Sequence, residues 1–237
     1  MTTALVTGGN KGIGYAIAEG LGALGWSVGV GARDDARREE AVEKLRAAGV
    51  DAFGVPLDVT DDASVAAAAN LLTERGGLDV LVNNAAITGG MPQNPTEIDP
   101  AAVLRVVDTN VVGVMRITNA CLPLLRQSAH PRVVMVSSSV GSLTLQTTPG
   151  SFVGPVSGAY SPSKTFLNAV VIQYVKELQG SNILLNAGCP GYVKTDLNNR
   201  SGTRTPEQGA AIAITLATLP DDGPTGTYSN DAGPIPW

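Results

Sequence analysis

Tyr160 and Lys164 stand four residues apart in Tyr160-Ser161-Pro162-Ser163-Lys164, a separation that puts two side chains on one face of a helix. A free phenol has a pKa of about 10, so at neutral pH an adjacent ammonium that stabilises the phenolate is chemically useful. A second chemical element is the run TGGNKGIG from Thr7 to Gly14, with the spacing G-x-x-x-G-x-G. It follows the apolar run Ala4-Leu5-Val6 and opens into Tyr15-Ala16-Ile17-Ala18, which reads as helix. Strand, glycine turn and helix together let backbone N–H groups and a helix N-terminus hold a pyrophosphate. Gly8 releases the chain from the strand, Gly12 admits close approach of a ligand, and Gly14 lets helix pack on sheet, with Asn10, Lys11 and Ile13 completing the turn. A phenol–ammonium pair and a dinucleotide cradle in one chain together suggest hydride transfer.

The next β-type run, Ser27 to Ala32, lies where a βαβ unit returns to meet the adenosine ribose. An NAD site usually ends this strand with Asp or Glu on the 2′-hydroxyl, whereas Arg suits a 2′-phosphate. Here the strand ends in Ala32 and Arg33, and Lys11 in the glycine turn supplies a second cation, so the expected cofactor is NADP rather than NAD. Asp34 and Asp35 follow directly and weaken the local positive field.

These groups need a frame to bring them together. Strand signals fall near 3–7, 27–32, 52–57, 78–83, 132–137, 183–187 and 225–229, and helix signals near 13–25, 35–48, 61–75, 100–127, 158–179 and 205–217. The alternation, with apolar strands such as Val133-Val134-Met135-Val136, predicts a doubly wound parallel sheet covered by helices on both faces, an α/β Rossmann fold in one domain over 1–237. Ligands bind beyond the carboxyl ends of such strands, so Gly8, Arg33, Asp58, Asn84, Ser138 and Pro190 occupy the informative positions. The long loops 85–99, 139–157 and 189–204 are the expected substrate loops.

Composition narrows the function classes. The 237 residues are 43% hydrophobic, enough for a sizeable core, and 16 Lys and Arg against 21 Asp and Glu leave no basic tract for nucleic acid. No run is long and apolar enough for a bilayer and no signal peptide is evident, so a cytoplasmic protein is expected. His130 is the sole histidine, which argues against a Ser-His-Asp hydrolase and a histidine metal site; no metal is expected. Cys121 and Cys189 read as buried structural thiols. Val, Ile and Leu on the outward faces of helices 100–127 and 158–179 predict a homodimer or homotetramer.

TGGNKGIG, LDVT (57–60), LVNNAA (81–86), TNVVG (109–113), VSSSVG (136–141), YSPSK (160–164) and CPGYVKTD (189–196) occur in the order and near the spacing of the short-chain dehydrogenase/reductase family, which the whole chain resembles. Within that family it is most similar to the NADPH-dependent carbonyl reductases. The resemblance implies reduction of a ketone or aldehyde, or the reverse oxidation of an alcohol, with Tyr160 as proton donor and Lys164 holding the nicotinamide ribose. Ser138 would position the carbonyl, with Ser137 and Ser139 as competitors, and Asn110 would serve a proton relay. Asp58 would contact adenine beside Val59, Asn84 would belong to the cofactor loop, and Pro190, Val193 and Thr195 would lie at the nicotinamide end. Asp58 and Thr195 read equally as helix caps. Ala86 replaces a family glycine and would crowd the pocket if that position needs a positive φ. The Ser138-to-Tyr160 gap is longer than usual, making 142–157, with Pro149, Phe152 and Pro155, an insertion over the substrate pocket or an oligomer face. A non-catalytic NADP-binding sensor or interaction protein is the alternative, and intact Ser138, Tyr160 and Lys164 argue against it.

Overall fold

The computed structural model describes residues 1–151 and 153–237; Phe152 of the insertion lies outside the described residues. The chain starts with β1 (Thr3–Thr7), α1 (Gly12–Gly22), β2 (Ser27–Ala32), α2 (Asp35–Ala47), β3 (Ala52–Pro56), α3 (Asp62–Glu74) and β4 (Val80–Asn83). It continues through α4 (Pro100–Val107), α5 (Gly113–Leu125), β5 (Arg132–Val136), the short α6 (Leu143–Thr147), α7 (Tyr160–Glu177), β6 (Leu184–Gly188), α8 (Pro206–Ala217), β7 (Tyr228–Asn230) and β8 (Gly233–Pro234). Short polar residues start the helices where the sequence offers them. Asp34, Asp61 and Asp99 each accept a backbone N–H at the start of α2, α3 and α4, and Thr205 does so for α8 ahead of Pro206.

The strands form one sheet in the order β3-β2-β1-β4-β5-β6-β7-β8, parallel except for the last pair. Successive residues of a strand face opposite sides, and both sides are covered. Leu5, Leu81, Val133 and Leu185 pack under α3, α5 and α7, while Ala4, Val6, Val80, Val82 and Val134 pack under α1, α2 and α8. That double burial makes the strands near-continuously apolar. The chain runs outward from β1 to β3, then returns to place β4 on the other side of β1, and this reversal opens a crevice at the carboxyl ends of β1 and β4.

The elements depart from the sequence expectation at four places. The helix expected over 100–127 is two helices joined by a π-turn at Asp108–Val112, because the inward-turned Asn110 amide answers both backbone groups of Ile87. The insertion contains α6, started by the Ser142 hydroxyl accepting from Leu145 N–H. The last expected strand begins at Tyr228 rather than 225, since the backbone before it is held by Asn186 and Thr225 side-chain bonds instead of a full ladder. A two-residue turn at Asp231 and Ala232 then adds antiparallel β8, too short to leave a pattern in the sequence. No helix is long and apolar enough to cross a membrane among the described residues.

Candidate active site

The glycine turn follows β1 directly, and its shape is enforced from β4. Asn84 Nδ2 donates to the carbonyls of Thr7 at 2.9 Å and Gly8 at 3.2 Å, while the Thr7 hydroxyl accepts from Asn84 and Ala85 N–H. Gly12 has φ +54, and a Cβ on Gly14 would stand 2.2 Å from the Gly8 carbonyl oxygen, so only glycine permits this approach. No side chain caps the start of α1 and its first turn holds no acidic residue, leaving its N–H groups for an anion. These features fit a dinucleotide pyrophosphate.

The turn opens onto a cleft of about 920 Å³. Gly8, Asn10, Lys11, Gly12, Ile13 and Gly14 line it, as do Arg33, Asp58, Val59, Asn84 and Thr195 from neighbouring strand ends. Pro190 and Val193 do not line it. Both are buried, and Val193 is turned onto α8, where a Cβ on Gly209 would lie 2.5 Å from its Cγ2. Tyr160 and Lys164 also lie outside the cleft's lining.

Arg37, Lys194, Asp196 and Arg200 line the cleft although the sequence reading had not singled them out. Arg37 stands in the first turn of α2, shortly after Arg33 just past the end of β2, and no local sequence pattern marks it. Lys11 and Arg33 line the same cleft, and Lys11 Nζ lies 3.1 Å from Asp196, which ties the glycine turn to the 189–204 loop and holds the Asp196 carboxyl below its usual pKa. Asp34 is engaged as the cap of α2 and Asp35 pairs with Arg38 at 2.7 Å, so both acids beside Arg33 have partners of their own. Asp58 is not the cap of α3. Burial tends to raise its pKa, but hydrogen bonds from the Thr60 hydroxyl and N–H, with Arg33 nearby, bring it below the usual value. Ala86 is absent from the positive-φ residues, so its Cβ strains nothing.

The carboxyl ends of β4, β5 and β6 carry the second half of the site. Tyr160 is the first residue of α7, and Lys164 sits one turn on with only 3% of its surface exposed. Its Nζ donates to the Val136 carbonyl at 2.8 Å and lies 5.7 Å from the centre of the Tyr160 ring, so the ammonium is held near the phenol without bonding to it. Burial lowers the Lys164 pKa to about 8. Burial also pushes the Tyr160 phenol well above its ordinary value, with Cys189 adding to the rise and the Ser138 hydroxyl opposing it. Ser138 is therefore the serine beside the phenol. Ser137 bonds instead to Asn168, and the Ser139 N–H donates to Cys189 Sγ at 3.2 Å.

Asn110 is fully buried. Its Oδ1 accepts from Ile87 N–H at 2.8 Å, and its Nδ2 donates to the Ile87 carbonyl at 2.9 Å and to Ser163 Oγ at 3.0 Å. The Ser163 hydroxyl in turn donates to the Tyr160 carbonyl, so Asn110 braces the first turn of α7 against the loop after β4. Cys121 is buried with its thiol pushed up to about 12, and Cys189 is buried behind the serine turn. His130 is exposed on the opposite end of the sheet, paired with Asp221.

A family model described as short chain dehydrogenase matches residues 2–205. The NADPH carbonyl reductase 1 of Mus musculus is 34% identical, with 99% of this chain and 98% of the mouse protein covered. The (+)-neomenthol dehydrogenase of Capsicum annuum is 29% identical over 95% of this chain and 94% of its own length. Among solved structures, salutaridine reductase from Papaver somniferum superposes with a TM-score of 0.83 at 30% identity, covering 98% of this chain and all of its own. A glycine-cradled cleft at the strand-order reversal, the arrangement of Ser138, Tyr160 and Lys164 beyond it, and these full-length similarities lead to one conclusion: the chain belongs to the short-chain dehydrogenase family, oxidoreductases that act on carbonyl and alcohol groups.

Proposed function

We propose that this chain is an NADPH-dependent carbonyl reductase, working in reverse as an alcohol dehydrogenase, with Tyr160 as the proton donor. The observation that carries the reading is the Tyr160 phenol beside the Ser138 hydroxyl, with the Lys164 ammonium fixed one helical turn behind it. When bound, the nicotinamide supplies or accepts the hydride. The protein's part is to hold and protonate the carbonyl oxygen. Ser138 presents a neutral donor where negative charge develops, Tyr160 delivers its proton to the same oxygen, and Lys164 favours the phenolate left behind. A sensor would gain nothing from burying an ammonium behind a tyrosine, since desolvating that charge is costly.

The preference for NADPH is supported by Arg33, which lines the cleft, has no ion-pair partner among the described residues, and follows Ala32 where an NAD site would carry an acid. The relatives named as NADPH carbonyl reductases point the same way. Loops 85–99 and 139–157, which emerge beside Tyr160, contain no Lys or Arg, and Met91, Leu143 and Val156 are exposed on them. These two loops offer no counter-ion to an anionic substrate and suit an uncharged, largely apolar ketone, the cations Lys194 and Arg200 of the third loop lining the cleft shared with Lys11 and Arg33. Steady-state assays with neutral cyclic and aryl ketones and with oxo acids test both points. We expect turnover of neutral ketones with kcat/KM at least about tenfold higher for NADPH than for NADH, the scale of one charge-assisted contact, and a gap narrowed by Arg33→Ala mainly through the NADPH KM. Equal use of the two cofactors by the unaltered protein would overturn the cofactor assignment, and no turnover of any carbonyl compound would overturn the activity.

The same reading includes self-association. Leu104 on α4 is 69% exposed and Phe166 on α7 is 48% exposed, on the two helices whose outward apolar residues suggested pairing. Light scattering is expected to give two or four times the 24.2 kDa chain mass, and the mass of a single chain at micromolar concentration would contradict it.

A further inference from the structure

Asn168 lies one turn beyond Lys164 on the same face of α7, and nothing in the proton-transfer reading uses it. It is 4% exposed. Its Oδ1 accepts the Ser137 hydroxyl at 2.6 Å, and its Nδ2 donates to the Gly141 carbonyl at 3.2 Å. Those two partners bracket Ser138: one immediately precedes it, and the other closes the 3₁₀ turn Ser139–Gly141 that follows. Gly141 also lies directly against α7, where a Cβ would meet the Lys164 carbonyl carbon at 2.7 Å. Neighbouring positions are tied as well, Val136 by Lys164 and Ser139 by Cys189. The segment is thus pinned on both sides of Ser138, whose own hydroxyl is left to face Tyr160.

We propose that Asn168 is a positioning residue which, through Ser137 and Gly141, holds the Ser138 hydroxyl in register with the Tyr160 phenol. The helix that carries the proton donor then also carries the clamp for the turn that carries the carbonyl-holding serine. A carboxamide suits the task because it accepts from one partner and donates to the other at once, which neither an apolar residue nor a carboxylate does. Among the described residues, the Ser137 hydroxyl donates to no acceptor but Asn168. The buried Tyr228 hydroxyl borders both Ser137 and Asn168, so a Ser137 released from Asn168 has a competing partner on β7. Displacements of about 1 Å at a reacting group cost on the order of 10²-fold in rate, which gives the clamp a functional consequence beyond two buried hydrogen bonds.

The proposal rests on the reading of Ser138 as the residue that holds the carbonyl oxygen, and a double-mutant cycle separates the two. Asn168→Ala and Ser137→Ala would each be combined with Ser138→Ala, and kcat, carbonyl KM and NADPH affinity by fluorescence titration measured for every variant. Each single change is expected to lower kcat by about 10- to 10²-fold with NADPH affinity within about twofold of the parent, and to add no further loss once Ser138 is Ala. A merely structural role moves all backgrounds alike. Losses that multiply in the Ser138→Ala background, or full kcat in Asn168→Ala, would overturn the positioning role while leaving Ser138 in place. Full kcat in Ser138→Ala itself would overturn the reading of Ser138 and the clamp with it. If Asn168→Ala does not fold, Ser137→Ala removes a single oxygen from the same bond and decides the matter alone.

Discussion

Tyr160→Phe is expected to lower carbonyl reduction by about 10²- to 10⁴-fold while NADPH binds with nearly unchanged affinity. The substitution removes one oxygen and leaves the ring, so packing at the start of α7 is preserved and the proton donor is lost. Burial raises the phenol pKa, which keeps Tyr160 protonated through the neutral range and ready to give its proton to an oxygen that gains negative charge. Only the transition state needs that proton, so the loss should fall on kcat and kcat/KM together. Turnover assays alongside fluorescence titration of NADPH check it. Near-full reductase activity in a folded Tyr160→Phe protein would reduce Tyr160 to a packing residue and end the catalytic reading of this chain.

Lys164→Ala should be at least as severe, about 10²-fold or more in kcat/KM, and should differ by weakening cofactor binding too. The family resemblance gives its ammonium a second task at the nicotinamide ribose, and the structure gives it a third, the bond to the Val136 carbonyl that anchors α7 to the end of β5. Its pH behaviour provides an independent check. With the pKa lowered to about 8 by burial, Lys164 is charged at neutral pH and loses its proton as pH rises through that value. The Tyr160 phenol, shifted upward, keeps its own proton there. Carbonyl reduction should therefore fall on the alkaline side of about pH 8, and Lys164→Ala should abolish that limb. A profile of the parent enzyme that stays flat to pH 10, about two pH units above the Lys164 value, would show that the ammonium is not required.

The chemistry was legible in the chain wherever it depended on local spacing. The turn from Thr7 to Gly14 and the pair Tyr160 and Lys164 are short-range patterns, and a helix or a glycine turn places such residues together wherever the fold sets them. The alternation of apolar strands with amphipathic helices likewise specified a doubly wound sheet, because burial of both faces leaves its mark on every strand. Most of the expected cofactor residues line the cleft for the same reason: they follow strand ends.

What the chain alone left open involved partners far apart in sequence. Asn110 looked like a mid-helix residue, but the π-turn that directs it to Ile87 and Ser163 exists only because those groups come from other elements. Lys11 reads as a companion of Arg33, and its ion pair with Asp196, 185 residues away, comes only from the fold. Val193 is expected at the nicotinamide end, and only the structure shows its side chain packed on Gly209 of α8. Among three consecutive serines, the Ser137 hydroxyl is taken by Asn168 and Ser139 is held through its backbone N–H on Cys189, while the Ser138 hydroxyl bears on the phenol. The sequence by itself thus determined which chemical groups are present, and which share a turn or a helix face, since those relations follow from backbone geometry a few residues long. Only the tertiary structure decided which of those groups are free to act. A side chain's freedom depends on hydrogen-bond and packing partners that the sheet order brings together from distant parts of the chain.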